Sequence, residues 1–238
     1  MNRVLHTKAG EVRVFADAPA VAAAAAEEWI QLARAPRFRV ALAGGSTPAA
    51  CYRLLGNVRR TDVDWARVEI FFGDERCVPP DHADSNYGMA RRTLLDLVPI
   101  PVTQLHRMRG EDEPHAAARA YEDVMRAALG TDPLDLVLLG MGADGHTASL
   151  FPGTAALDET EAWVVANRVP QMGVDRLTLT FPVLSAAKRV VVNVTGAEKA
   201  ARLAEVLTGG DLPINRVRPA GGCLWLIDEA AAVALISA

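Results

Sequence analysis

With 238 residues, 50% of them hydrophobic and 23% charged, the chain can bury a large core and has the composition of an ordinary globular protein, not of a disordered or fibrous one. Its 25 Lys and Arg against 29 Asp and Glu leave a formal charge of -4, without the basic excess that a nucleic-acid backbone demands. Cys51, Cys77 and Cys223 are odd in number, widely spaced and lack a CxxC pair, which argues against a disulfide framework or a cysteine zinc site and for a reducing compartment.

The small-residue run 21–26 is flanked by Asp17, Glu27 and Glu28 and is too short for a signal-peptide core or a membrane span, so it reads as a helix in a cytoplasmic protein. Residues 11–16 alternate apolar and polar, as in an edge strand, and Asp17 with Pro19 then starts an Ala-rich helix to about residue 35. A buried strand at 38–43 runs into Gly44, Gly45, Ser46, Thr47 and Pro48, followed by a helix over 49–55. This combination predicts a phosphate cradle: glycines admit the anion to the backbone, amides and hydroxyls donate, and the helix dipole favours negative charge. The plainer alternative is a turn in which Ser46 or Thr47 only caps the helix. No GK[ST] follows, so a phosphorylated metabolite is favoured over a nucleoside triphosphate.

Residues 68–72 form a third strand that empties into a loop of Gly73, Asp74, Glu75 and Arg76. Arg76 suits a two-pronged grip on phosphate or carboxylate, with Asp74 or Glu75 holding it or bonding sugar hydroxyls; a solvated salt bridge is the alternative. His82, Asp84, Asp74 and Glu75 match no recognised metal-ligand spacing, and Cys77 has no assignable base. Ser85 or Asn86 caps a helix over 87–97, residues 102–108 suggest a short strand, and 113–129 a helix. His106 and His115 read as surface or structural residues.

The apolar run 134–139 fits a strand buried on both faces, and it stops at Gly140, Gly142 and Gly145. The loop carries Asp144 and His146, able to orient and move a proton where an α/β sheet places its ligand. Those glycines also spell GxGxxG, with Asp158, Glu159 and Glu161 beyond. Asp144 would put a carboxylate where pyrophosphate should lie, and Pro152 with Gly153 leaves little room for the receiving helix, so a nicotinamide cofactor is disfavoured.

Strands follow at 163–169, 176–180 and 189–194; the last ends at Thr195 and Gly196 before a helix over 197–207, with Lys199 in its first turn where an anion would sit. Residues 209–222 form a long loop, 222–227 a last strand, and Asp228 caps a closing helix. The alternation predicts a single α/β domain over 1–238, with a doubly wound, mostly parallel sheet and helices on both faces.

GGSTP at 44–48, GDER at 73–76, SN at 85–86, GMGADGHTASLFPG at 140–153, RLTLT at 176–180, TGAEK at 195–199 and LWLIDEAAA at 224–232 resemble, in order, the 6-phosphogluconolactonase family. The resemblance implies a Rossmann-like fold shared with glucosamine-6-phosphate deaminases and ribose-5-phosphate isomerases. It implies hydrolysis of 6-phospho-D-glucono-1,5-lactone in the oxidative pentose phosphate pathway, with no cofactor or metal. By the same similarity His146 matches the catalytic base, and Arg76, Arg176 and Lys199 match positions near phosphate or sugar. DER at 74–76 and TASLF at 147–151 depart from the deaminase pattern. An isomerase or deaminase acting on an amino-sugar phosphate, or a non-catalytic sugar-phosphate sensor, is the alternative. The expected partner is the small sugar-phosphate lactone alone, without nucleic acid or membrane, for a monomer or weak homo-oligomer. Mechanistically, neutral His146 activates water, Asp144 or a backbone carbonyl fixes its tautomer, and glycine-loop amides receive the oxyanion.

Overall fold

A computed structural model describes residues 3–170 and 172–235. Its strands are β1 (Arg3–Thr7), β2 (Gly10–Phe15), β3 (Phe38–Leu42), β4 (Val68–Phe72), β5 (Asp74–Arg76), β6 (Leu136–Gly140), β7 (Val164–Val169), β8 (Val174–Leu179), β9 (Val190–Val194) and β10 (Cys223–Asp228). Its helices are α1 (Ala18–Leu32), α2 (Ser46–Arg53), α3 (Asn86–Ala90), α4 (Pro114–Leu129), α5 (Phe181–Ala186) and α6 (Ala200–Leu207).

Seven strands make one sheet in the order β1-β2-β10-β9-β6-β3-β4, all pairs parallel except β1 with β2. β3, β4 and β9 are buried at every position, which is why they read as mostly apolar runs, interrupted only by Arg39, Glu69 and Asn193. The chain moves outward from β3 to β4, returns to β6 on the other side of β3, and continues to β9 and β10. The order therefore reverses between β3 and β6, and their carboxyl ends flank the crevice that such a reversal leaves open.

Local chemistry sets the helix ends. The Asp17 side chain accepts from the Ala20 amide at 2.9 Å to start α1, and Glu113 accepts from the His115 and Ala116 amides at 3.0 and 2.8 Å to start α4. α1 packs on α2 and on β9 and β10, with Trp29 meeting Phe38 edge-on at 5.6 Å.

Several expectations change. β2 is an interior strand, because β1 pairs on its outer side and forms the edge. The 74–76 stretch is a strand, and β5, β8 and β7 form a separate antiparallel sheet against which α4 packs. Residues 102–108 hold a single turn of 3-10 helix (Val102–Gln104) and one bridge, Leu105 to Ile70, since Pro101 sets the turn and only one residue reaches β4. The helix expected over 87–97 is short: α3 gives way to a wide turn at Arg91–Leu95, where Asp96 N bonds to Arg91 O and the Thr93 hydroxyl donates to Met89 O. Asp228 starts no α-helix within the described residues. A turn and a 3-10 segment (Val233–Leu235) follow it, and its carboxylate accepts from the Ala231 amide and, across strands, from Gly196.

Candidate active site

Four parallel strands, β3, β4, β6 and β9, deliver their carboxyl-end loops to one side of the sheet, and side chains pin each loop from behind. Tyr52 Oη accepts from Ala43 N at 3.0 Å and donates to Ala43 O at 2.9 Å, fixing the residue before Gly44. Tyr121 Oη accepts from Phe72 N at 2.9 Å and donates to His106 O at 3.1 Å, fixing the end of β4. Burial pushes both phenols up, so they remain neutral donors. Thr147 Oγ1 donates to Gly140 O at 2.8 Å, and Asp228 takes the Gly196 amide at 3.1 Å.

The loop after β6 closes on itself. Gly142 N donates to His146 O at 2.9 Å and Gly145 N to Gly142 O at 3.1 Å. The Asp144 carboxylate sits 2.5 Å from His146 Nδ1 and also receives the His146 amide at 3.1 Å. With Nδ1 facing a carboxylate, the network assigns the proton to Nδ1 and leaves Nε2, which has no protein partner among the described residues, as the basic nitrogen. Burial alone would raise the Asp144 carboxyl, but the amide and imidazole of His146 outweigh it and hold the group below its ordinary value. A Cβ on Gly142 would fall 2.1 Å from His146 Nδ1 and 2.7 Å from Asp144 Oδ1, so the pair exists because position 142 is glycine. Gly142→Ala is accordingly expected to lower kcat on the order of 10²-fold by displacing the imidazole, with substrate affinity retained. Steady-state kinetics beside a thermal melt checks this; an unchanged kcat would show that the imidazole tolerates the displacement.

His146 opens into a cleft of 270 Å³ that it shares with Gly44, Gly45, Asp74, Arg76, Arg176 and Lys199. Arg76 and Arg176 stand directly opposite each other in the β5–β8 register, a placement that like charges disfavour. Burial and the neighbouring Arg76 charge pull the Arg176 guanidinium down from its ordinary value. None of Arg76, Arg176 and Lys199 has a carboxylate oxygen within 4.0 Å among the described residues. Arg76 Nη1 donates to Asp84 O at 2.5 Å, while its buried Nε has no partner. Among the described residues the amides of Gly44 and Gly45 bond no protein acceptor, and Gly45 (φ 103) precedes α2 as its N-cap without a side-chain hydrogen bond. Three cations without an ion-pair partner within 4.0 Å and a helix start without a side-chain cap line one cleft, an arrangement that favours an anion.

The sequence-derived set does not assemble uniformly. Ser46 and Thr47 turn away from the cleft into a neighbouring groove beside α1, where Thr47 Oγ1 lies 2.9 Å from Thr195 Oγ1; the cradle is offered by backbone. Asp144 stands behind His146 and does not line the cleft. Asp74 lines it, yet both carboxylate oxygens are engaged, Oδ1 by Asn86 Nδ2 at 3.0 Å and Oδ2 by Ser149 Oγ at 2.7 Å. Glu75 is buried and accepts from Ser85 Oγ and from the Arg76, Asn86 and Tyr87 amides, while burial pushes its carboxyl up. Ser85 caps α3, which frees Asn86 to reach Asp74. Asn86 also fills the space where a Cβ at Gly44 would stand, 2.0 Å from its Oδ1, and so sets the cradle. Neither its orientation nor the part of Ser149 had a signal in the sequence beyond their positions in polar stretches. Cys77 is no candidate nucleophile, because burial pushes its thiol up to about 11.

The family model described as glucosamine-6-phosphate isomerases/6-phosphogluconolactonase matches residues 16–226. A 6-phosphogluconolactonase of Nostoc sp. is 40% identical over 209 residues, covering 84% of this chain and 85% of its own. The structure of the Trypanosoma cruzi 6-phosphogluconolactonase superposes with a TM-score of 0.82 at 31% identity, covering 94% of this chain and 96% of that one. A monomeric glucosamine-6-phosphate deaminase, 22% identical with a TM-score of 0.81 over 94% of this chain and 99% of its own, shares the fold. With a match that runs from the end of β2 to β10 and takes in every loop of the cleft, the chain belongs to the glucosamine-6-phosphate isomerase/6-phosphogluconolactonase family.

Proposed function

We propose that the protein hydrolyses 6-phospho-D-glucono-1,5-lactone to 6-phospho-D-gluconate. The observation that carries this reading is one cleft holding both an Asp144-oriented imidazole, its Nε2 without a protein partner among the described residues, and three cations without an ion-pair partner within 4.0 Å. Relatives called 6-phosphogluconolactonase supply the substrate class. Family membership over 16–226 supports one catalytic unit. The described residues include no helix long and apolar enough to cross a membrane. The cytoplasmic location and the monomer or weak homo-oligomer expected from the sequence are part of this proposal.

In this mechanism Arg76, Arg176, Lys199 and the Gly44–Gly45 amides hold the phosphate, which places the lactone carbonyl before His146. Nε2 takes a proton from water as the water oxygen bonds to C1. The tetrahedral oxyanion collapses, the bond between C1 and the ring oxygen breaks, and imidazolium returns its proton to that oxygen. The new carboxylic acid ionises to solvent. A lactone is an activated ester, so this cycle needs no covalent intermediate. The Gly142, Gly145 and His146 amides are consumed inside the loop and cannot receive the oxyanion, so donors must come from elsewhere on the cleft wall.

Release of 6-phosphogluconate from freshly generated lactone, measured against the spontaneous background, tests the reading. Acceleration is expected; an enzyme that leaves the background unchanged but converts an amino-sugar phosphate would replace it with a deaminase or isomerase.

A further inference from the structure

The loop that carries His146 continues into a turn with a specific consequence. Leu150 N donates to Thr147 O at 2.9 Å, and Ala148 adopts φ 47, the one non-glycine residue with positive φ among the described residues. Such backbone persists where its surroundings over-determine it. Here Ser149 Oγ bonds Asp74 at 2.7 Å, Ser149 N bonds Thr178 Oγ1 at 3.2 Å, and Ser149 O receives Asn167 Nδ2 at 2.8 Å. The reversal brings Phe151 back onto the histidine, with ring centroids 4.0 Å apart and planes inclined by 25°. Phe151 is 7% exposed and does not join the main hydrophobic cluster, so the imidazole is a principal aromatic neighbour of its ring.

We propose that Phe151 is a positioning residue for the hydrolysis, holding the His146 imidazole in plane and stabilising the positive charge it acquires during turnover. The inference rests on His146 acting as the base. Asp144 grips the edge of the imidazole at Nδ1 and Phe151 covers one face, which together leave Nε2 one direction, into the cleft. When Nε2 takes the proton from water, the cation forms against the electron-rich face of a benzene ring, an arrangement that attracts positive charge more than the neutral ring. The stabilisation is therefore larger in the charged state than in the resting enzyme and acts on turnover, not on substrate binding.

Phe151→Met keeps most of the volume and removes the ring face; Phe151→Tyr keeps both. For Phe151→Met kcat is expected to fall about 5- to 10-fold with KM changed less than about twofold, while Phe151→Tyr stays within about twofold of wild type. Wild-type kcat in a folded Phe151→Met enzyme, or equal losses in both variants, would overturn the proposal. If Phe151→Met does not fold, the wild type decides. The Hε1 resonance of His146, identified by its absence from the His146→Ala spectrum, is expected upfield of ordinary histidine from the ring current, and an ordinary position overturns the stacking. His146→Ala kinetics separate the two claims: retained turnover there removes the base and this proposal with it, whereas an inactive His146→Ala beside an unaffected Phe151→Met removes the role of Phe151 alone.

Discussion

His146→Ala is expected to lose between about 10² and 10⁴ in kcat while still binding 6-phosphogluconate, because general-base assistance has that typical worth and the phosphate site is built from other loops. The imidazole contributes nothing to the cation cluster; it stands on the loop after β6, whereas Arg76 and Arg176 come from the small sheet and Lys199 from the turn after β9. Product affinity measured by calorimetry should therefore move little as turnover collapses. Near-normal turnover would remove His146 as the base. The pH profile carries a second constraint. Asp144 is held below the ordinary carboxylate range by the amide and imidazole of His146 against the opposing effect of burial. Its carboxylate therefore keeps orienting Nδ1 to lower pH than an unperturbed aspartate would.

The parts of this site that were legible in the sequence share a physical cause. Parallel strands buried on both faces are rich in apolar residues, and their loops begin with residues that tolerate unusual backbone, so 38–45, 68–73, 134–145 and 189–196 announced both strand and loop. What failed to show was whatever depends on a distant partner. β5 has three residues and exists because β8, about a hundred residues later, pairs with it, so GDER read as a loop. Asp228 resembled a helix cap, and its carboxylate does take the Ala231 amide of the following turn but also reaches across to the Gly196 amide. Ser46 and Thr47 carry the right atoms for a cradle, yet a hydroxyl's direction follows from how α2 settles beside α1. Phe151 sat in view as part of LFPG, and only a left-handed Ala148, which no residue pattern forecasts, folds it onto the histidine.

For Arg76→Ala, KM is expected to rise by about one to two orders of magnitude, the equivalent of the ~1.5 to 3 kcal/mol associated with a charge-assisted hydrogen bond, with a smaller change in kcat. The same variant should show no loss of thermal stability when ligand-free. Arg76 faces Arg176 across the β5–β8 register and its charge disfavours that of Arg176, so the empty protein carries repulsion that the substitution removes, offset by loss of the bond to Asp84 O. A residue retained for stability behaves in the opposite way, since its truncation lowers the melting point and leaves KM alone. Inorganic phosphate supplies the complementary readout: an anion that binds the native state alone raises the melting temperature with its concentration, and the rise should be larger for wild type than for Arg76→Ala. Lysine at position 176 should not restore what alanine there removes, because an ammonium cannot reproduce the two parallel bonds of a guanidinium to phosphate oxygens. If Arg76→Ala melts lower and binds substrate as wild type does, the cluster is structural and the phosphate lies elsewhere. If it binds weakly and melts unchanged, the repulsion between the two arginines marks where the substrate's charge belongs.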